Sequence, residues 1–594
     1  MNVIDMRLEA LRASMRKAGI TAYYIPTDDF HLSEYVGDHF KCRAYLSGFT
    51  GSAGVLIVTL EEAGLWVDGR YFIQGEEQLK GTSITLYKMG EEGVPTTLEF
   101  LRSRLAAGDV LGFDGRTVPT SFGRQCEEAL CGKGVRLETG RDLVDEVWEN
   151  RPPMSEAPAY VLDTCYAGES VQDKLKRVRA VMAEKGAKAH VLASLTDVAW
   201  LFNIRGSDVA CTPVVLAFAV IEQEAAYLFI DPKKLDEQVT KYLSENRIVP
   251  MPYSAVYGFL ECYSGEKVLL SENDLNYALY AKLQNAGAVI LNDMNPTALM
   301  KAVKNGTELK NNREAHLKDA LVMVRFMKWL KENIGKEPIT ELSAARKLDG
   351  MRLAQESCLD LSFTTICGYA AHGAIVHYSV TEETDIPLEP RGLLLVDSGG
   401  QYLEGTTDIT RTFALGPLTE AEKRHFALVL QSMLALQDAK FLYGATGASL
   451  DMVARQPLWI AGLDYKHGTG HGVGFRLSVH EGPNSFRYNG KNSAVLEDGM
   501  VTTDEPGVYI AGSHGIRLEN ELVCCKGEKN EYGQFMHFEP LTFVPLDLDA
   551  IDPDLIDSTD KGRLNAYHAA VYETLAPHLD EEERAWLKHY TRPL

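Results

Sequence analysis

The chain has 594 residues, which is too long for a single hydrophobic core and allows three or four domains at about 150 residues each. Its 60 Lys and Arg residues are outnumbered by 83 Asp and Glu residues, which gives a formal net charge of −23. This charge opposes binding to nucleic acid backbones and to anionic membranes. We therefore expect neither nucleic acid nor a membrane surface as a partner.

The N-terminal segment and the cysteines both indicate a cytoplasmic protein. MNVIDMRLEALRASMRKAG has no apolar stretch of signal-peptide length, and later apolar runs such as VVLAFAVI are far too short to span a membrane. The ten cysteines are scattered without a CxxC pair, which is a poor framework for disulfides or structural zinc. We expect them to be reduced thiols in the core.

A weak internal repeat occupies the first half of the chain. At a constant offset, the matched pairs are Arg12 and Arg179, Ala13 and Ala180, Met15 and Met182, Gly19 and Gly186, and Ala22 and Ala189. Each copy has the pattern of an amphipathic helix that ends at a glycine and precedes a β-rich segment. The repeat predicts two related α/β domains, which we place at residues 1–152 and 153–305, on either side of the proline-bearing stretch ENRPPMSEAPAY.

A third domain is predicted at residues 306–539. It begins with a long helical pattern, REAHLKDALVMVRFMKWLKENIG, whose apolar residues recur at three and four positions. Residues 540–594 then form an extension with an acidic run and a helical end. We expect this extension to pack on the third domain or on a second subunit.

Two acids in the third domain are expected to face each other across a hairpin. LLLVD is an apolar strand that ends at Asp397, and TTDITRT alternates as a second strand that contains Asp408. If the turn lies at Tyr402 and Leu403, the two acids are direct cross-strand partners with Cβ atoms about 5 Å apart. Taken alone, this spacing is typical of a solvated hairpin.

Three further residues change that interpretation: His471 in HGTGHGVG, Glu505 in VTTDEPGVY and Glu519 in GIRLENELV. Four carboxylates and one imidazole suit hard divalent cations such as Mn²⁺, whereas a structural zinc site is built mainly from thiolates. Two cations would neutralise the repulsion among four carboxylates in one pocket. The five residues therefore predict a two-metal hydrolase.

The surroundings of these residues suggest further roles. Arg517 alternates onto the same strand face as Glu519, so we expect it to orient that carboxylate, while we expect Glu521 to face solvent. His467 and His471 lie in a predicted glycine-rich turn, where the backbone can approach a ligand closely. His377 in HGAIVHYS and His480 in SVHEGP are additional imidazoles suited to proton donation near neutral pH.

The order and spacing of GAIVHY, DSGGQYLEGTTDITRT, HGTGHGVG, VHEGP, DEPGVY and GIRLEN resemble the catalytic domain of Xaa-Pro aminopeptidases, also called aminopeptidase P. YLSGFTGSAG, WVDGRYF, WLFNIRGSDV and FVPLDLDAID extend the resemblance to the long, three-domain cytosolic form. It implies an α/β architecture in which two related creatinase-type α/β domains precede a C-terminal pita-bread metallopeptidase domain. It also implies a homodimer.

The resemblance implies release of the first residue from peptides with proline in the second position, by a hydroxide that bridges two divalent ions, usually Mn²⁺. Asp397 would bind one ion, Asp408 and Glu519 would bridge both, and His471 and Glu505 would bind the other. By the same resemblance, Glu505 would also carry a proton to the leaving nitrogen.

The resemblance extends to the substrate-binding residues. His480 and His377 would stabilise the tetrahedral intermediate or hold the scissile carbonyl, and His467 would line the substrate site. Arg70 in WVDGRYF would help to shape the substrate entrance, with an ordinary surface ion pair as the alternative.

Three other functions are weighed against this one. A prolidase would use the same five ligands, although the length and the motifs of the first two domains resemble the aminopeptidase more. A methionine aminopeptidase shares the catalytic core but lacks both preceding domains. A metal-free relative that binds peptides or proteins would have lost ligands, whereas all five positions are retained here.

Overall fold

The computed structural model describes residues 2–490 and 493–594. By contacts, the described chain divides into two compact units. Residues up to Thr164 together with Glu169–Ala298 form the first unit, and Cys165–Gly168 with Leu299–Leu594 form the second. Among the described residues, no helix is both long and apolar enough to cross a bilayer.

The first unit contains two six-stranded sheets with the same topology. The first sheet has the strand order Ile84–Lys88, Ala63–Val67, Val55–Thr59, Ala22–Pro26, Val110–Phe113 and Arg136–Glu138. The second has the order Ile248–Pro252, Ala226–Ile230, Ala217–Glu222, Ala189–Leu192, Lys267–Leu270 and Val289–Asn292. In both sheets the successive pairings are parallel, antiparallel, antiparallel, parallel and parallel.

Short helices connect these strands. Those associated with the first sheet are Val3–Ala18, Cys42–Ser47, Phe72–Gln78, Thr97–Arg104 and Thr120–Leu130. Those associated with the second are Val171–Lys185, Leu195–Phe202, Glu237–Glu245, Val256–Phe259 and Tyr277–Ala286, with a small strand pair, Tyr160–Val161 and Ile204–Arg205. The short helix Thr164–Ala167 begins at the last residue of the first segment of this unit.

The predicted internal repeat is confirmed in the backbone. Gly19 and Gly186 end the equivalent helices with φ of 69° and 66°, in the left-handed region that favours glycine. The repeated arginines also make equivalent bonds, because Arg12 Nε donates to the Thr59 carbonyl at 3.0 Å and Arg179 Nε donates to the Glu222 carbonyl at 2.9 Å. Each bond ties the helix to the end of a neighbouring strand.

Besides the end of the short helix Thr164–Ala167, the second unit contains seven helices and four sheets among its described residues. The helices are Pro296–Ala302, which begins before the unit, Gly306–Asn333, Glu341–Leu353, Glu420–Gln437, Gly447–Ile460, Ser558–Leu575 and Glu581–Tyr590. A six-stranded sheet has the order Lys440–Leu442, Gly533–Pro540, Asn520–Asn530, Val501–Asp504, Gly470–Gly472 and Glu481–Phe486. The smaller sheets are Cys358–Leu361 with Gly400–Tyr402 and Gly405–Thr406, Ile366–Tyr369 with Leu393–Ser398 and Ile409–Ala414, and Gly507–Ile510 with His514–Arg517.

The long helix Gly306–Asn333 begins at a capping box formed by Asn305 and Glu308. Its buried side chains, such as Met323 and Phe326, belong to one large core. Apolar residues of the C-terminal extension belong to the same core, including Leu564 on Ser558–Leu575 and Leu587 on Glu581–Tyr590. The extension therefore packs on the predicted third domain of its own chain.

All ten cysteines are free, as expected. The expectation that they lie in the core is wrong for Cys131, Cys165 and Cys262, which are exposed.

Candidate active site

Asp397 and Asp408 lie on neighbouring strands, but they are not direct partners. Asp397, on Leu393–Ser398, pairs with Thr410, and Tyr402 pairs with Gly405. The two-residue turn therefore lies one position later than predicted, which shifts the register by two residues. Because side chains alternate with period two, the two acids still share a face.

His471 joins this pair from the six-stranded sheet. Its Nε2 atom lies 3.5 Å from Asp408 Oδ2 and 3.5 Å from Glu505 Oε1. Its Nδ1 atom lies 3.0 Å from the Gly472 carbonyl, which can accept a hydrogen bond from the N–H of that nitrogen. This bond would fix the tautomer that leaves Nε2 available to a metal.

The glycines beside His471 have a different role from the one predicted. His471 lies on the strand Gly470–Gly472 rather than in a turn. A Cβ atom on Gly470 would lie 1.8 Å from the Thr503 carbonyl oxygen, and one on Gly472 would lie 2.2 Å from that of Glu481. These glycines therefore allow the neighbouring strands, rather than a ligand, to approach closely.

Glu519 lies at the break between the strands His514–Arg517 and Asn520–Asn530 and is 1% exposed. Its Oε2 accepts a hydrogen bond from Thr410 Oγ1 at 2.7 Å. We expected Arg517 to orient this carboxylate, but Arg517 does not contact it directly. Its Nη2 instead donates to Asp397 Oδ2 at 2.6 Å. Its Nε donates to Thr410 Oγ1 at 3.2 Å, so Arg517 reaches Glu519 only through Thr410.

The expectation that Glu521 faces solvent is wrong. Glu521 is fully buried, and its Oε1 accepts the backbone N–H of Asp408 at 2.7 Å. The same oxygen lies 3.1 Å from Nε2 of His316 on the long helix. Burial opposes protonation of His316, but the Glu521 carboxylate raises its pKa overall. Glu521, which faces His316, therefore holds the backbone of Asp408 in place.

Tyr509 connects a predicted substrate-site histidine to the acids. Its hydroxyl accepts a hydrogen bond from Arg517 Nη1 at 2.8 Å and lies 2.9 Å from His467 Nε2. Because Arg517 also holds Asp397, one chain of contacts runs from His467 to the acidic cluster. Tyr509 ends the DEPGVY motif, but no role was predicted for it, because its contacts with Arg517 and His467 are visible only in the folded structure.

The remaining predicted residues occupy different positions. The His480 ring lies edge-on to His471 with centroids 4.2 Å apart. His377 follows the 3₁₀ segment Ala370–Ala374 and is half-buried, and the carbonyl of its neighbour Val376 accepts a bond from Arg517 at 3.3 Å. These histidines therefore lie beside the acidic cluster or its supporting network.

Arg70 belongs to the first unit. There it forms ion pairs with Asp68 at 2.8 Å and with Glu34 at 3.3 Å. Its role at a substrate entrance stays a prediction.

The charges of the cluster fit divalent cations. Burial, followed by the charges of neighbouring acids, raises the pKa of Asp408 and of Glu519 well above the ordinary values, and burial also raises the pKa of Glu505. In the described part of the chain, Asp397 Oδ1 and Asp408 Oδ1 are buried without a hydrogen-bond partner. Ligand atoms of Asp408, His471 and Glu519 all lie within 4.8 Å of one another. Cations bound here would satisfy these oxygens and offset the repulsion.

Comparison with known families agrees with this architecture. Residues 7–147 and 150–308 each match the creatinase/prolidase N-terminal domain. Residues 310–526 match metallopeptidase family M24, and residues 534–594 match the C-terminal region of peptidase M24. The fold and the acidic site thus define an M24 metallopeptidase, in which a pita-bread domain follows two creatinase-type domains along the chain.

Relatives that match along the whole chain identify the family within this class of metallopeptidases. The chain is 37% identical to Aminopeptidase P2 of Arabidopsis thaliana, covering 100% of the chain and 89% of the relative. It is 36% identical to Xaa-Pro aminopeptidase 1 of Dictyostelium discoideum, covering 100% of the chain and 97% of the relative. The chain belongs to the Xaa-Pro aminopeptidase family, so the predicted family and enzyme class are confirmed.

A solved structure is similar over the same length. The crystal structure of X-prolyl aminopeptidase from Caenorhabditis elegans matches with a TM-score of 0.95 and 32% identity and covers 100% of both chains. That protein is described as a cytosolic enzyme with a di-nuclear active site. The predicted fold class is confirmed by this match.

Proposed function

We propose that this enzyme releases the first residue from peptides whose second residue is proline, and that the reaction requires two divalent cations. The observation that carries the proposal is the buried group of carboxylates around His471, in which one oxygen of Asp397 and one of Asp408 have no hydrogen-bond partner in the part of the chain that the structure describes. The di-nuclear active site described for the C. elegans relative supports the number of ions. An oxygen-rich ligand set with one imidazole favours Mn²⁺ as the metal.

The contacts of these side chains support the ligand assignment that the family resemblance implies. Arg517 occupies one oxygen of Asp397 and leaves the other for one cation. His471 and Glu505, which face each other at 3.5 Å, would hold the other cation. Asp408 and Glu519 would be shared between both.

The chemistry divides between the cations and the protein. When bound, two divalent cations supply activated water near neutral pH and polarise the scissile carbonyl. A bond to proline is a tertiary amide, so its nitrogen must gain a proton when it leaves. Glu505 would take a proton from the attacking water at its carboxylate and deliver it to that nitrogen.

The histidines would act on the substrate. His480, beside His471, would donate a hydrogen bond to the oxygen on which negative charge develops, with His377 in the same role or holding the carbonyl. His467, held by Tyr509, would line the substrate site. The free amine of the substrate would be attracted to the acidic cluster, which would restrict cleavage to the first residue.

The family resemblance extends the proposal to the assembly and the location. We include a homodimer, a cytosolic location like that described for the C. elegans enzyme, and a contribution of Arg70 to substrate entry. Sedimentation of the purified protein tests the first of these. A monomer at micromolar concentration would contradict it.

The activity is tested with four peptides and metal analysis. With Mn²⁺ added, we expect rapid hydrolysis of an Xaa-Pro-Yaa tripeptide and little hydrolysis of the matched Xaa-Ala-Yaa peptide or of the N-acetylated Xaa-Pro-Yaa peptide. An Xaa-Pro dipeptide separates a prolidase from an aminopeptidase. Preference for the dipeptide, or full activity without bound metal, would overturn the proposal.

A further inference from the structure

A second cluster of metal-binding side chains lies on the hairpin of Asn520–Asn530 and Gly533–Pro540. Cys525 is the direct cross-strand partner of His537, and Glu539 lies two residues further on the same face. One ligand atom from each residue, a sulfur, a nitrogen and an oxygen, lies within 4.8 Å of the other two. A search for CxxC spacing misses this cluster, because strand pairing rather than sequence proximity brings the residues together.

The carboxylate of Glu539 is already oriented toward the other two side chains. Arg313 Nη2 contacts Glu539 Oε2 at 3.2 Å, while Glu539 Oε1 lies 3.9 Å from His537 Nε2. Metal ligands are commonly held by such an outer partner, which fixes one oxygen and leaves the other for the ion.

The burial of the cluster is graded. Cys525 packs against the buried apolar residues Val473, Val501, Val523 and Leu541. The side chains of His537 and Glu539 are 35% and 51% exposed. The thiol therefore lies next to an apolar surface, whereas the side of the cluster that carries the imidazole and the carboxylate is open to an incoming ion and to water as a fourth ligand.

We propose that Cys525, His537 and Glu539 bind one borderline-soft divalent cation of the zinc class. A thiolate and an imidazole favour such an ion over Mn²⁺, in contrast to the oxygen-rich catalytic cluster. The thiol loses its proton to solvent when the ion binds. The resulting thiolate and the Glu539 carboxylate together balance the two positive charges, and the ion joins the two strands of the hairpin.

Cobalt(II) is a selective probe for this site, because a cobalt-thiolate bond gives an intense charge-transfer absorption that oxygen and nitrogen ligands do not give. The candidate catalytic ligands include no sulfur, so cobalt bound there does not contribute this band. We expect the full-length protein to develop the band with one equivalent of cobalt. The band should be lost in Cys525→Ser and kept in Cys131→Ser, which removes an exposed thiol elsewhere.

Two further variants make the test independent of the thiol. His537→Ala and Glu539→Gln should each weaken cobalt binding at least about tenfold, while Cys525→Ser should leave peptide hydrolysis unchanged. Zn²⁺ should displace the cobalt band. No band in the unsubstituted protein, or a band that persists in Cys525→Ser, would overturn the site and would leave the Cys525 thiol with its hydrogen bond to the Val523 carbonyl of its own strand. Neither outcome depends on the proposed peptidase activity.

Discussion

Asp408 is fixed by its surroundings more tightly than a surface carboxylate could be. Its backbone N–H donates to Glu521, one carboxylate oxygen faces His471, and the other is buried without a partner among the described residues. Burial and neighbouring acids raise its pKa well above the usual range. Such a group is costly to the fold unless a cation binds it.

The first prediction concerns the loss of this carboxylate. Asp408→Ala should abolish hydrolysis and lower the bound metal, because a ligand shared by two ions is removed; we expect a loss of more than about 100-fold, beyond that of an outer-shell change. Metal analysis and peptide hydrolysis measure both effects. The exposed Asp360→Ala is the matched control.

His480→Ala separates metal binding from chemistry at the same site. It should lower turnover while the metal content persists, because the ring lies against His471 without being assigned as a ligand. Undiminished turnover of Asp408→Ala with metal still bound would remove Asp408 from the site.

The second prediction concerns Glu521, which contacts Asp408 only through the backbone. Glu521→Gln keeps the shape but removes the charge that faces His316. We expect metal affinity to fall about 10- to 100-fold, as for other outer partners, with turnover recovered at saturating Mn²⁺. A loss of turnover that excess metal does not restore would contradict this role.

The residues that local motifs can reveal differ physically from those that they cannot. Asp397, His471 and Glu519 each stand in a short segment whose residue types already suggest a ligand. Glu521 looked solvated because three charged residues alternate along one strand face, and that pattern does not say what covers the face. His316 covers it from the long helix, a contact that only the tertiary fold creates.

At the scale of elements, close approach between strands positions His471. Gly470 and Gly472 leave no room for a Cβ atom beside the neighbouring carbonyls. A short strand with such contacts reads as a glycine-rich turn in the sequence, because glycine is favoured in both settings. The register of the Asp397 hairpin was also predicted wrongly, because its turn lies one residue later than expected and this displacement changes the register by two residues.

The third prediction tests this packing. Gly470→Ala places a methyl group 1.8 Å from the Thr503 carbonyl oxygen, so the strands must separate. We expect a loss of roughly 2 kcal/mol or more in unfolding free energy, together with lower metal affinity, measured by thermal unfolding and metal titration. Gly350→Ala in the helix Glu341–Leu353 is the control, because a Cβ there meets nothing within 4 Å.

The control should be neutral or stabilising by about 0.5–1 kcal/mol, because alanine favours the helix. Equal stability of Gly470→Ala and the unsubstituted protein would show that the strands can separate at little cost.

At the scale of the whole molecule, the sequence predicted the order of parts well. The repeat was visible because Gly19 and Gly186 serve the same helix end, and a glycine with positive φ leaves a clear sequence signature. The placement of the C-terminal extension was left open between its own chain and a second subunit. Only the shared core of Leu564, Leu587 and Phe326 shows where it packs.

The fourth prediction concerns the attachment of this extension in acid. His568, fully buried on Ser558–Leu575, accepts the Leu546 N–H at 3.1 Å, and burial lowers its pKa from 6.5 to about 3. Between pH 6.5 and pH 3, His568 binds more protons in the unfolded chain than in the folded chain. Its contribution to the free energy of unfolding is therefore fully present above pH 6.5 and is lost as the pH falls toward about 3.

His568→Gln, which can still accept the Leu546 N–H, should flatten this loss. The expected difference in slope is up to about 1.4 kcal/mol per pH unit, measured by denaturant unfolding at several pH values between neutrality and mild acid. Parallel stability curves for the two proteins would contradict the assignment to His568.

The strand Asn520–Asn530 follows Glu519 directly, and its second residue holds the amide of Asp408. One strand therefore positions both carboxylates that are proposed to be shared by the two ions, Glu519 through the chain and Asp408 through a hydrogen bond. The spacing between these two carboxylates therefore depends on how one strand is placed in its sheet.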